Sequence, residues 1–520
     1  MIAIVITGFK DKISRHHYRV IYSISMDFLD PVQFRRHNRM IIIGYISIAF
    51  AIAMATAILV LLASGYWFNK KGEVIQNGLM FVSSTPAPAD VYLNGVRNKS
   101  QTNSRIVLPE GNYNMELKRD GYRTWQRPVQ INGNTVVHFD YPFLVPNNLV
   151  TTPQKTYDVT PTLVSQSPDR RWLITAAPGD MKQFELYDTK DPKNVAATAV
   201  AVPAGLLTAS TEAQSWNVQE WSNDNRHVLL KHLFGANSEY ILLDRSAPDQ
   251  SVNLTKTLGT NPTELQLVDK KYDRYYLYDA ASHTLSKASL GAPQPTPFLE
   301  RVLSFKSYGS DTLLYAVTPS ADSDNNVTIK MMQGSQTYTI RQFPAGTSYL
   351  VNMAIYDGDM YVVTAAANGD RAYIYRNPID QINNKNFGTA SPIRVLRMSN
   401  PNYLEFSANT RFILAENGDK FAVYDAEDDR SYAYTAADPL DAPQAHAIWM
   451  DGHHLTYVSG GKFIMFDYDH QNRQELVDSL PTFTPLFDST YRYLYSYTAV
   501  KNDASKMVFS QTALRLPQDL

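Results

Sequence analysis

The sequence predicts a mainly β protein carried on a single membrane-spanning helix. Three observations lead there. The run from Met40 to Asn69 contains no charged residue. Between residues 72 and 145, short alternating apolar and polar runs are separated by turn pairs such as Asn94-Gly95 and Asn132-Gly133. From about residue 150 onward, a short strand, a turn rich in Asp, Asn, Ser and Gly, and a second apolar strand recur many times. The 33 tyrosines and 22 phenylalanines suit pleated sheets, on which aromatic rings pack well.

The helix comes first. About 20 apolar residues at ~1.5 Å rise cross the ~30 Å hydrocarbon core of a bilayer. Residues 40–69 exceed that length, so the segment can span with tilt. Ala, Gly and Ser mixed with Ile, Leu and Val are normal in a membrane helix, and Tyr66, Trp67 and Phe68 stand where an aromatic belt belongs, before Lys70 and Lys71. A buried helix of a soluble domain rarely runs this far uncharged. A cleaved signal peptide, for which Ala63-Ser64-Gly65 is the nearest cleavage-like triplet, would begin closer to the N-terminus. Residues 1–39 read as a short cytoplasmic tail, too small for a catalytic domain. They carry Lys10, Lys12, Arg15, Arg19, Arg35, Arg36 and Arg39 against Asp11, Asp27 and Asp30. Positive flanks stay in the cytoplasm, so the expected topology is N-inside with the downstream domains outside, a signal-anchor arrangement in the lipid bilayer. Met26 is an alternative start, which would leave residues 1–25 outside the true protein.

The chain has 520 residues, a net charge of -2 and a pI near 6.6. The basic tail offsets the rest, which is therefore mildly acidic. That speaks against nucleic-acid binding, which wants a basic surface. There are no cysteines, which excludes a disulfide framework and a Cys-ligated metal.

Residues 72–145 form a compact β unit. Leu79–Ser83 is strand-like and Ser84-Thr85-Pro86-Ala87-Pro88 breaks it. Ala89–Leu93 alternates into the Asn94-Gly95 hairpin turn. Ile106-Val107-Leu108 leads to Pro109-Glu110-Gly111, Tyr113–Leu117 alternates again, Gly121-Tyr122 turns, and Trp125 anchors. Ser84-Thr85-Pro86, Val91-Tyr92-Leu93-Asn94-Gly95, Pro109-Glu110-Gly111-Asn112-Tyr113 and Gly121-Tyr122 together resemble the PEGA domain in order and spacing. Asn112 replaces the final Ala of the name motif. The Gly-x-Thr-Pro of the family survives only as Thr102. The resemblance implies a small β-sandwich of prokaryotic surface proteins, with no chemistry of its own.

The repeats after residue 150 include LVSQSPDRRWLIT from Leu163, VQEWSNDNRHVLLK from Val218, LQLVDKKYDRYYLY from Leu265 and VLSFKSYGSDTLLYAV from Val302. NMAIYDGDMYVVT from Asn352, YLEFSANTRFILAE from Tyr403, AIWMDGHHLTYVS from Ala447 and TPLFDSTYRYLYS from Thr484 continue them. Several are followed by a strand ending in a turn Asp, at Asp188, Asp244 and Asp425. A unit of three or four antiparallel strands cannot bury both faces alone, and radial stacking does so while leaving only short edges. Residues 150–520 therefore read as a β-propeller of eight units, with seven as the alternative. Residues 149–159 are placed to pair into the last blade and close the ring. Ser167-Pro168-Asp169 and Trp221-Ser222-Asn223-Asp224 resemble the Trp-Ser-Pro-Asp-Gly turn of TolB-like and WD40-like propellers.

No Gly-x-Ser-x-Gly elbow is present, and no catalytic motif stands out. Asp322–Asn326 hints at a calcium loop, but Val327 and Gln333 occupy the positions that need Gly and Glu. His453-His454 lie in a blade turn, and neighbours in a strand point to opposite faces, so they seldom share a metal. Neither a cofactor nor a metal is expected. In a four-stranded meander the B–C and D–A connections share one face. Trp216, Tyr349, Tyr403 and His446 lie on the approaches to it, and the longer B–C loops are 232–238 and 318–326. These four residues are the expected binding anchors. The expected function is a membrane-anchored binding or scaffold protein of the cell envelope, facing a protein or a polysaccharide. The alternative is a propeller-based carbohydrate-active enzyme.

Overall fold

The computed structural model describes residues 31–63, 66–68, 74–176, 180–321, 324–346, 348–385, 389–441, 446–501 and 503–520. The tail up to Asp30, Lys70 and Lys71, and Asp322-Ser323 of the calcium-like loop lie outside the described residues. The described chain forms two compact units. The first holds the residues before Met80 with 107–110 and 131–135. Its helix runs Pro31–Ala63, and Asn38–Ala63 is long and apolar enough to cross a membrane, with its apolar side chains exposed. The apolar run does not stay helical to Asn69. Tyr66–Phe68 is a strand, antiparallel to Val74–Val82, with Tyr66 opposite Gln76 and Phe68 opposite Val74. Consecutive aromatic and β-branched residues favour the extended backbone over another helical turn.

The second unit contains residues 80–106, 111–130 and 136–520. Its first part is a four-stranded sheet in the order Val96–Gln101, Asp90–Leu93, Gly111–Lys118, Trp125–Ile131. Asn94 and Gly95 both take positive φ, 50° and 78°, as the tight hairpin turn requires. The lone Thr102 is buried. Its hydroxyl meets Ser84 Oγ at 2.7 Å and accepts from Ala89 N at 2.7 Å, at the two ends of the loop that holds the cis X–Pro bonds at Pro86 and Pro88.

Beyond residue 150 the described residues hold eight four-stranded antiparallel sheets. Sheets 1 to 7 span 164–201, 214–253, 264–299, 302–343, 349–397, 403–435 and 448–478. Sheet 8 takes three strands from 486–513 and its outermost strand, Val150–Tyr157, from ahead of the first repeat. Strands within a sheet are lettered A to D here. The central strands are apolar on both faces, because each face has a neighbour. In sheet 2, Leu230 packs towards sheet 1 with Trp216 and Phe184, while Leu229 packs towards sheet 3 with Leu265 and Tyr275. In sheet 5, Val362 joins Ile329 of sheet 4, and Val363 joins Ile413 of sheet 6. The series closes. Tyr495 and Phe509 of sheet 8 share a cluster with Leu173 and Tyr187 of sheet 1 and with Tyr157 of the closing strand. Every sheet thus has two apolar neighbours, which is the packing of a β-propeller.

The turn aspartates after the third strands have a partner that the sequence reading did not assign. Arg171, Arg226 and Arg411, at the start of strand B, reach across to Asp188, Asp244 and Asp425 at the end of strand C. Each pair is bidentate, with the second contacts at 2.6, 2.5 and 2.7 Å. Upstream, Ser167 Oγ and Ser407 Oγ accept the backbone N–H of Trp172 and Phe412, which fixes the turn that aims the arginine.

The small β sheet is joined to sheets 7 and 8 through a buried seam. Arg127 bonds Asp469 at 2.8 Å, Tyr141 Oη at 2.7 Å and Tyr468 Oη at 3.1 Å. The Tyr141 ring stacks on His453 with centroids 4.7 Å apart. Phe143 and Val145 share an apolar cluster with Met450, Phe463 and Leu476. The outer strand Trp125–Ile131 is capped where Asn472 accepts the Gln126 amide at 2.9 Å. Gly121, at φ 81°, lies so near the Leu516 side chain that a Cβ there would stand 2.5 Å from it.

Candidate ligand-binding face

The B–C and D–A connections bring two of the four expected anchors together. Tyr403 opens strand A of sheet 6 and lies directly opposite Glu416 on strand B. His446 arrives on the connection into sheet 7. Its ring stacks on Tyr403 with centroids 4.1 Å apart and planes 4° from parallel. Beneath the pair, Glu416 is fully buried and reaches His446 Nδ1 at 3.3 Å and the Ala447 amide at 3.0 Å. Burial pushes the Glu416 carboxyl above its usual range, against the opposing pull of His446 and the Ala447 N–H. Tyr403 Oη donates to Glu405 at 3.0 Å, and burial followed by that carboxylate raises the phenol. The His446 side chain keeps 29% of its surface exposed. The arrangement is a parallel ring pair, braced from below by the buried Glu416.

Trp216 and Tyr349 lie elsewhere. Trp216 is 2% exposed between sheets 1 and 2, against Phe184 and His232, and donates Nε1 to Met181 O at 3.2 Å. Tyr349 is 3% exposed between sheets 4 and 5, and its hydroxyl donates to Pro344 O at 2.7 Å. Both rings fill the joints between blades. The expected 232–238 loop is a tight hairpin, with Phe234 opposite Asn237, because the alternation runs on to the turn. Its His232 is fully buried between Glu239 and Gln214, each at 2.9 Å. Among the described residues no group of three or more His, Asp or Glu is set to hold a metal.

His453 and His454 do diverge. His453 faces Tyr141, and burial followed by the His454 charge lowers it to about 4. His454 is buried between Asp451 at 2.8 Å and Asp467 at 3.5 Å. Burial opposes its charge, but the two carboxylates outweigh that and raise it. Burial likewise opposes the Asp451 charge, and His454 with two backbone N–H groups holds it down to about 2. Asp467 is pushed up to about 6, chiefly by burial. The seam residues Arg127, Tyr141, Asp467 and Asp469 were not singled out from the sequence. One signal was available: Arg127 occupies an inward position in Trp125-x-Arg127-x-Val129-x-Ile131, where the pattern asks for an apolar residue.

These features define the class: a β-propeller joined to a small β domain and to one apolar helix that is a candidate membrane anchor. Residues 77–145 match the PEGA domain. No curated protein matches the chain. Among solved structures, the Dos1 propeller is similar over 70% of this chain and 95% of its own, at 10% identity and a TM-score of 0.43. The dihydro-heme d1 dehydrogenase NirN matches over 62% of this chain and 67% of its own, at 13% identity and 0.39. An oligogalacturonate lyase in complex with manganese matches over 71% and 98%, at 9% identity and 0.38. Likenesses this distant say nothing about a ligand.

Proposed function

We propose that this chain is a membrane-anchored binding or scaffold protein of the cell envelope. The helix holds it in the bilayer with the basic tail in the cytoplasm, and the PEGA domain and propeller stand outside. They face a protein or a cell-wall polymer, and the chain performs no chemistry of its own. The observation that carries this reading is the seam. An Arg127–Asp469 ion pair with side chains 11% and 4% exposed, sealed by Tyr141 and Tyr468, ties the strand Trp125–Ile131 of the PEGA domain to sheet 7 of the propeller. The ligand meets the B–C and D–A face at Tyr403 and His446.

The test has two arms. Protease added to intact cells should remove the PEGA and propeller domains; a fully protected propeller overturns the topology. Full-length protein in detergent, used to capture envelope glycans and surface proteins, should lose its ligand about tenfold on Tyr403→Ala or His446→Ala, as expected of an aromatic anchor. Their melting temperatures should change little. Undiminished capture by both variants overturns the site.

A propeller-based carbohydrate-active enzyme is the second reading. Glu416 favours it, because a carboxyl with a raised pKa beside a half-buried ring pair suits a general acid. Polysaccharide cleavage by the purified protein that Glu416→Gln abolishes would replace the first reading.

A further inference from the structure

We infer that the cleft between sheets 5 and 6 on this same face binds a phosphate group. The cleft measures about 580 Å³ and is lined by Arg371, Arg397, Lys420, Ser399, Thr435 and Asp370 among others. Arg371 on strand C and Arg397 on strand D are direct cross-strand partners. Residues so paired share one face of the sheet, and like charges there are destabilising. Lys420 comes to the same cleft from the B–C hairpin of sheet 6, where Gly418 at φ 60° makes the turn. Three cations against the one carboxylate of Asp370 leave a formal +2.

Among the described residues this charge is not neutralised. Among the described residues, neither Arg397 nor Lys420 takes part in any ion pair found in the structure. Among the described residues Arg371 pairs with its sequence neighbour Asp370 alone, at 3.5 Å, with side chains 53% and 76% exposed. A pair so exposed is worth little. Elsewhere the fold clasps its arginines on aspartates, as with Arg226 on Asp244 and Arg411 on Asp425. Here two arginines and a lysine line one cleft together with Ser399 and Thr435. That donor set fits a tetrahedral oxyanion, which offers acceptors on several sides, better than a planar carboxylate. The phosphate can come from a small phosphate or from a phosphodiester polymer. The inference names a site and a chemistry that the ligand-neutral reading above does not, and it holds whichever way the helix is oriented.

The experiment uses full-length protein in detergent, titrated with inorganic phosphate, poly(glycerol phosphate) and polygalacturonate at matched ionic strength. Binding is read by calorimetry and by melting temperature. Phosphate should raise the melting temperature where chloride does not. Arg397→Gln and Lys420→Gln should each weaken phosphate binding roughly tenfold, as the loss of one charge-assisted contact predicts. Without phosphate, Arg397→Gln should melt no lower than wild type, because a like-charge pair is removed. Tighter binding of poly(glycerol phosphate) than of inorganic phosphate assigns the polymer, and the reverse assigns a small phosphate; either supports the site. An equal response of wild type to phosphate and chloride overturns it. So do variants that bind as wild type does, or a preference for polygalacturonate. None of these readouts depends on cellular topology or on Tyr403 and His446.

Discussion

At the scale of single residues, the His446 ring lies flat on that of Tyr403, above the buried Glu416. Tyr403 and His446 are 43 positions apart in the sequence, and only the fold stacks them. Trp216 and Tyr349 looked alike from the sequence, but an aromatic on a strand that has a neighbour on each face is more often core than anchor. Asp467 carries a prediction. Its folded pKa of about 6 stands above the ~4 of an unfolded aspartate. Its contribution to stability is therefore fully present below about pH 4 and is lost as the pH rises through 6. Asp467→Asn removes that loss. The same substitution lowers the support for charged His454, whose contribution also sits on the acidic side, so both effects have one sign. The variant should gain on wild type steadily from pH 4 to pH 7, read as the difference in urea midpoints. A difference that stays flat across that range overturns the assignment.

At the scale of elements, the strands were legible and their fastenings were not. Apolar residues on both faces of strands such as His227–Phe234 announced sheets with two neighbours, and the turn aspartates marked where the third strands end. The arginine that meets each aspartate lies 14 to 18 residues earlier, across a strand, at a distance that local pattern does not join. Burial separates these clasps. Asp425 is fully buried and Arg411 14% exposed, whereas Asp188 and Arg171 are 37% and 39% exposed. Removing one partner of a buried pair strands the other charge. Arg411→Ala should therefore lower unfolding free energy by roughly 3–5 kcal/mol. Arg171→Ala, with both groups reaching water, should cost about 1 kcal/mol or less. Chemical denaturation of both variants tests the ranking, and equal losses would show that burial does not set the strength of the clasp.

At the scale of the whole molecule, the ring is held by its closure as much as by its blades. Sheet 8 is built from both ends of the repeat region: Thr512 and Gln511 pair with Thr151 and Thr152 of the strand that precedes sheet 1. That strand was legible because residues 149–159 had strand character but no unit of their own. The PEGA seam was not, because its partners Arg127 and Asp469 are hundreds of residues apart. Closing a long loop costs entropy that grows only slowly with length, so joining distant strands is thermodynamically affordable. What it protects is large. Without residues 484–520, Leu173 and Tyr187 on sheet 1 and Phe463 and Met465 on sheet 7 lose the partners that cover them, and Val150–Tyr157 loses its ladder. Two apolar faces and an unpaired strand edge then meet water, which is the condition for edge-to-edge aggregation. The truncated chain should therefore be recovered as aggregate, or as a species without a cooperative thermal transition. Substituting Phe509→Ala in the intact chain should instead leave it soluble and lower its stability by about 3–5 kcal/mol, as for any large core aromatic. A soluble truncation that melts cooperatively would mean that the sheets are stable without ring closure, and the eighth sheet would then be an addition to the fold and not its lock.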